Sequence, residues 1–422
     1  MSHPHELVLI IDFGAINAQM VAKAVRQLQV YCEVLPHTTP LAELKAKRPQ
    51  AIILQRGAAV GAEDTTATPP SGLAELGVPL LDLKTSGYSA ELLQRFLLTE
   101  CKLRQDWTIE RFIEESVATL RTTIGERQVL LGLSGGVDSA VAALLLQRAV
   151  GRQLVCVFVD HGLMRLGEPQ QVVETFRHRF GINLVAVAAE ERFLTNLAGV
   201  SDPEAKRKVI GELFIRLFEE EARKLGDIDY LVQGTIYSDV IESGRDGGKQ
   251  VKSHHNVGGL PERIAFKGVI EPLRSLFKDE VRAVGRTLGL PAALTERQPF
   301  PGPGLGVRCL GELTREKLEM LRAADAIFCR ALETQGYGDR ASQYFAVLTD
   351  NRSVGVTDGA RTYGRVVALR AVKTLDFMTA TVSPLPLDFL VAVGEEIATT
   401  VPGVNRVVYD ITGKPPGTIE WE

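Results

Sequence analysis

Residues 129–149 read VLLGLSGGVDSAVAALLLQRA: an apolar run, a glycine pair and a run of helix formers. Val129 to Leu133 suits a buried strand and Ala140 to Ala149 a helix, so Ser134 to Ser139 between them is expected in a strand-to-helix turn. Gly135 and Gly136 let the backbone turn tightly and leave amides uncovered. Together with the positive end of the following helix, those amides make a cradle for phosphate. An ordinary glycine-rich turn reads the same way up to this point. The phosphate loop of kinases and GTPases needs Gly, four residues, then Gly-Lys-Ser/Thr, and no lysine stands here. A different phosphate chemistry is implied. Asp138 adds a carboxylate, a poor neighbour for bare phosphate but a good one with a magnesium ion between them.

Outward from the turn, Leu154 to Val159 reads as a second apolar strand, and the unit has the length of a right-handed βαβ crossover. Asp160 ends that strand. Groups at the carboxyl ends of strands in an open α/β sheet face the ligand crevice, so Asp160 is expected to share a pocket with the Ser-Gly-Gly loop. Leu184 to Val187, a helix Ala205 to Leu225 and Tyr230 to Gln233 continue the alternation. Upstream, strands at Val8 to Asp12, Tyr31 to Leu35, Ala51 to Leu54 and Val78 to Leu83 alternate with helices at Ala18 to Leu28, Leu41 to Lys47 and Ser89 to Leu98. Asp106 to Gly125 reads as a connecting helix with Asp106 as its cap.

Downstream, Gly244 to Pro261 is a long polar loop of the kind that is either a mobile active-site segment or disordered, and Asp279 to Leu288 an amphipathic helix. Gln298 to Gly306, with three prolines and three glycines, excludes regular structure and marks a boundary. Beyond it, helices at Arg315 to Gln335 and Leu387 to Thr399 and strands near Tyr344 to Leu348, Val366 to Ala371 and Arg406 to Asp410 make a smaller α+β unit. Its tail, Gly413 to Glu422, is expected to fray. The division is therefore 1–105, 106–298 and 299–422: a shortened flavodoxin-like α/β domain, a doubly wound parallel-sheet domain and an α+β domain.

The chain has 422 residues, 45% hydrophobic and 24% charged, which is ordinary globular usage. With 48 Lys and Arg against 52 Asp and Glu, a nucleic-acid binder relying on bulk charge is disfavoured. No apolar stretch approaches a membrane span. The five cysteines, Cys32, Cys101, Cys156, Cys309 and Cys329, are scattered and form no C-x-x-C pair, so neither a disulfide framework nor a zinc site is implied and a cytoplasmic setting is expected.

Seven stretches carry a resemblance: Leu133 to Ser139, Phe158 to Arg165, Asp202 to Gly211, Gln233 to Ser243, Lys252 to Pro261, Pro299 to Arg308 and Gly413 to Glu422. In this order they resemble the GMP synthetases, a family of PP-loop ATP pyrophosphatases. The resemblance implies ATP and Mg2+ as cofactors, adenylation of XMP and amination with ammonia. It implies that Ser134, Gly135, Gly136, Val137, Asp138, Ser139, Val159 and Asp160 hold ATP and pyrophosphate, with Asp138 and Asp239 near the metal. Asp239 and Glu242 belong to the catalytic region, and Lys252, His254 and His255 to a lid over the adenylated intermediate. For XMP it points to Arg207, Asn256, Arg308, Gln343, Arg406, Lys414, Ile419 and Glu420, cations suiting the 5′-phosphate and a carboxylate the base or ribose. It also implies a homodimer through the C-terminal domain. An enzyme adenylating another acceptor, or a non-catalytic scaffold, are the competing readings.

The first 105 residues depart from the family. Val8 to Gly14 and Val30 to Glu33 resemble the beginning of its glutaminase domain and Leu92 to Thr108 the end, but Gly57 to Leu98 contains no Cys and no His. The Gly-x-Cys-x-Gly elbow and its later His are missing. Cys32 and Cys101 read as buried or structural, and Ser86-Gly87 has no base nearby in sequence. The domain is thus expected to be a relic without glutamine hydrolysis, with ammonia supplied free or by a separate glutaminase.

Overall fold

In a computed structural model, residues 5–14, 18–56, 72–83, 89–226, 228–245, 266–357, 359–374 and 379–422 are described. Their strands form three sheets. The first contains β1 (Leu7–Asp12), β2 (Tyr31–Pro36), β3 (Ala51–Gln55) and β4 (Leu80–Leu83), all parallel in the order β2-β1-β3-β4. Every residue of β1 and β3 is buried, which is why these strands read as unbroken apolar runs.

The central sheet holds β5 (Val129–Gly132), β6 (Leu154–Asp160), β7 (Leu184–Ala188), β8 (Tyr230–Val232) and β9 (Gly268–Ile270), parallel in the order β7-β6-β5-β8-β9. The three-residue β9 escaped the sequence reading because it is too short to show a period. Strand order reverses between β5 and β8, so a crevice opens outside the carboxyl ends of those two strands. Helix Val137–Val150 follows β5 with Ala140 to Leu146 all buried, consistent with its apolar residues running right round the helix.

Two local expectations are corrected here. The connecting helix is Ile109–Ile124 and its cap is Thr108, whose side chain accepts the Arg111 amide at 3.3 Å; Asp106 lies instead 2.8 Å from His5 Nδ1. The C-terminal strands are longer than their apolar cores suggested. β10 (Gln343–Thr357) and β11 (Ala360–Lys373) form an antiparallel hairpin, with β12 (Thr381–Val382) and β13 (Val404–Tyr409) both pairing with β11. Past Leu348 the hairpin carries exposed Val354, Val356 and Tyr363 and a register shift, so no continuous buried face announces it. Helices Arg315–Thr334 and Leu387–Thr400 pack on this sheet. No described helix is long and apolar enough to cross a membrane.

Candidate active site

The turn after β5 is braced from within. Ser139 Oγ donates to the Gly136 carbonyl at 3.1 Å and accepts the Ser134 amide at 3.3 Å, while Ser134 Oγ accepts the Gly136 amide at 3.3 Å. Gly135 has φ +78°, which a side chain would strain, and a Cβ there would stand 3.3 Å from Met164 Cε. Its carbonyl accepts Arg297 Nη1 at 3.0 Å. Arg297 also pairs with Glu168, a buried carboxylate that accepts the Arg165 amide at 3.1 Å. Burial holds the Arg297 guanidinium below its usual range against the pull of Glu168. Arg297 and Glu168 thus hold the turn from outside its own sequence. Val137 and Ser139 are buried, so they reach the crevice mainly through their backbone.

On the opposite wall, Lys278 grips Asp138 with Nζ at 2.8 and 2.7 Å from the two carboxylate oxygens. The turn has no lysine of its own, yet a lysine 140 residues away stands beside it. Sequence reasoning missed Lys278, although one signal was available: it opens the helix Lys278–Thr287, where a cation opposes the helix dipole and so calls for an anionic neighbour. The chain leaving β8 touches the same place, because a Cβ on Gly234 would lie 3.4 Å from Asp138 Cβ and from the Ser139 amide nitrogen. Asp239, in the first turn of helix Tyr237–Arg245, accepts the Ile236 amide at 3.0 Å. The Glu242 side chain, Lys252, His254, His255 and Asn256 lie outside the described residues.

Asp160 Oδ1 accepts the Gly162 amide at 3.1 Å, and Val159 is buried within β6. Beside them His161 is pushed down to about 4, chiefly by burial; its Nδ1 accepts the Leu163 amide at 3.0 Å, which places the proton of the neutral ring on Nε2. Arg322, from helix Arg315–Thr334, donates to the carbonyls of Gly162 and Met164. The C-terminal unit therefore holds the loop after β6. Among the described residues no group of three His, Cys, Asp or Glu side chains is arranged to hold a metal.

The tail does not fray, contrary to its composition. Arg308, fully buried, makes two hydrogen bonds to Glu420 at 2.9 and 2.8 Å and lies 3.9 Å from the centre of the Phe345 ring. Arg207 Nη2 donates to the main-chain oxygen of Glu422 at 2.5 Å, and the fully buried Lys206 donates to Glu422 Oε2 at 2.5 Å and to the Cys309 carbonyl at 2.9 Å. Arg370, also missed because it sits in an apolar strand, donates to the carbonyls of Ile419 and Thr418 at 2.7 Å and to Asp410 at 2.6 Å. Ile419 is buried. Gln343 is buried and donates to the Pro299 carbonyl at 3.2 Å, and Lys414 forms a backbone bridge with Ala380. A groove of about 540 Å³ lined by Arg370, Asp410, Thr418, Glu420 and Trp421 runs along this segment. Arg207, Arg308, Ile419 and Glu420 are thus brought together at the tail. Arg406 is exposed on β13, sharing a face with Val408.

In the N-terminal unit Cys32 is fully buried, donates to the Ala22 carbonyl at 3.5 Å and has its thiol pushed up to about 11 by burial. Cys101 is also shifted upward, chiefly by burial. Neither is set up as a thiolate nucleophile. Ser86 and Gly87 lie outside the described residues.

Residues 330–421 match a family model described as GMP synthase C terminal domain, and residues 107–196 one described as NAD synthase. The glutamine-hydrolyzing GMP synthase of Caldicellulosiruptor saccharolyticus is 43% identical over 509 aligned positions, covering 99% of this chain and 100% of the relative. That of Symbiobacterium thermophilum is 45% identical over 515 positions, covering 100% of both. Since this chain has 422 residues, both alignments contain positions of the relatives with no counterpart in it.

Proposed function

Because this chain belongs to the GMP synthase family, we infer that it catalyses the ATP-dependent amination of XMP to GMP, forming AMP and pyrophosphate, and that unaided it uses ammonia rather than glutamine. The xanthine O2 attacks the α-phosphorus of ATP and pyrophosphate leaves; ammonia then adds at C2 and AMP departs, leaving GMP. The observation that carries this reading is the turn Ser134 to Ser139, with amides at a helix N-terminus and Lys278 supplied across the switch point. These groups suit a pyrophosphate that accumulates charge as the bond to the α-phosphorus breaks.

Magnesium fits the donor set. Asp138 and Asp239 would hold it, with phosphate oxygens and water as the remaining ligands, as is usual for this cation. When bound it would offset phosphate charge. The contact between Lys278 and Asp138 would then be shared or rearranged. Lys252, His254 and His255 act on the α-phosphate, Glu242 lies with Asp239 in the ATP and magnesium region, and Asn256 acts on XMP in this reading. Arg207, Gln343, Arg406, Lys414, Ile419 and Glu420 receive XMP, with Arg308 holding Glu420 in place.

We assign 1–105 to a vestigial glutaminase-like domain, 106–298 to the synthetase domain and 299–422 to a dimerising, XMP-binding domain, in a cytoplasmic homodimer. Loss of glutaminase chemistry is supported by the missing Cys and His between Gly57 and Leu98 and by the unmatched positions of the relatives. The test is XMP-dependent conversion of ATP to AMP and pyrophosphate by the purified chain, fed either ammonium or glutamine. Turnover is expected with ammonium alone. A comparable rate with glutamine would sink the ammonia reading, and no turnover with ammonium would favour the scaffold.

A further inference from the structure

The N-terminal sheet holds no activated thiol among the described residues, yet it is wired to the helices that carry Lys278 and Asp239. Arg26, on helix Ala18–Gln27, is 6% exposed, and its guanidinium carbon lies 4.4 Å from the ring centres of both Tyr31 and Trp107. It donates to the Cys32 carbonyl at 2.8 Å within its own unit, and to the Ser275 carbonyl and Glu280 at 3.3 Å in the central unit. Glu280 also accepts Trp107 Nε1 at 2.6 Å and the Phe277 amide at 2.8 Å, so it fixes the start of the Lys278 helix.

A second link runs from the edge strand β2. The Val34 amide donates to Tyr237 Oη at 2.5 Å, and Tyr237 is the first residue of the helix bearing Asp239. The rings of Tyr237 and Phe277 meet edge-on at 5.1 Å, and the Tyr237 amide donates to the Leu276 carbonyl at 2.8 Å. The two helix starts are thus locked to each other and to β2. Removing the partners of a buried cation is costly, so Arg26 favours the placement of the units that keeps its contacts with Ser275 and Glu280. An edge strand with unpaired amides would otherwise be a liability; here Tyr237 takes one of them.

We propose that the N-terminal unit is a positioning platform for the phosphate crevice: through Arg26 and the Val34 amide it fixes the helices that deliver Lys278 and Asp239. This rests on the reading that the crevice binds ATP. The platform gives the shortened domain a role that needs no nucleophile.

By linkage, ligand at the crevice must act back on the platform. Hydrogen exchange on the full chain, with and without magnesium-ATP, is expected to slow at residues 31–36. The variants Tyr237→Phe and Arg26→Gln, assayed with XMP and ammonium, are expected to raise KM for ATP about tenfold while KM for XMP stays within about twofold. A merely structural role would lower the active fraction and move neither KM. No exchange change at 31–36, or unaltered KM for ATP in both variants, overturns the platform. If a variant fails to fold, the exchange experiment on the unmodified chain still decides. Absence of AMP formation by the unmodified chain would defeat the functional reading instead, and slowed exchange at 31–36 on adding ATP would still support the platform.

Discussion

Strands β1 and β5 hold equivalent places, each an inner strand of a parallel sheet with an aspartate and a glycine at or beyond its carboxyl end. At the end of β1, Asp12 is 5% exposed and its Oδ1 accepts the Gly14 amide at 2.9 Å. After β5, Asp138 stands one residue inside the helix with its side chain 30% exposed, held by a lysine from another helix. The same architecture serves as platform in one case and, in the proposed function, as reaction crevice in the other. What differs is where the turn leaves its polar groups, so the fold alone does not decide the chemistry.

That contrast breaks most visibly at the two aspartates. Asp138→Ala is expected to lower XMP-dependent AMP formation by about 10²- to 10³-fold, the cost of losing one preorganised electrostatic group, whereas Asp12→Asn should stay within about threefold. Equal losses in steady-state kinetics would erase the distinction. Arg297→Lys tests whether the support from outside the turn matters. It keeps the charge beside Glu168 but loses the fork that also holds the Gly135 carbonyl, and kcat/KM for ATP should fall about tenfold.

A smaller effect belongs to pH. His161 titrates near 4 in the folded chain against 6.5 ordinarily, so the unfolded chain binds the proton first as pH falls. Stability is fully present above 6.5 and declines between 6.5 and 4, by on the order of 3 kcal/mol in full. In melting curves at pH 7 and pH 5, His161→Asn should lose less of its midpoint than the unmodified chain. The smallest effect is expected at the thiols: Cys32→Ala and Cys101→Ser should leave ammonia-driven turnover within about twofold. A larger drop at either would give the N-terminal unit chemistry of its own.

The parts legible in the sequence were those with a local signature. Apolar runs marked β1, β3, β5 and β6, and Ser134 to Ser139 announced its phosphate geometry through two glycines and the helix behind them. Where the signature was weak the reading slipped: β9 is three residues long, the outer half of the hairpin has no buried face, and Asp106 resembles a cap although Thr108 does that work. The tail was read as fraying because its composition is that of a loop. Its order comes from Lys206, Arg207, Arg308 and Arg370, all distant in sequence.

By itself, then, the sequence determined the alternation of strands and helices, the glycine turn and the family motifs, because each is written within a few neighbouring residues by a period of two or 3.6 or by a backbone that only glycine relaxes. Only the tertiary structure decided that Lys278 meets Asp138, that Arg297 holds Gly135 and that Arg26 and the Val34 amide join the N-terminal unit to the helices bearing Lys278 and Asp239. Those contacts depend on strand order and crossovers spanning more than a hundred residues, and on burial, which makes an unpartnered charge too costly to leave in place.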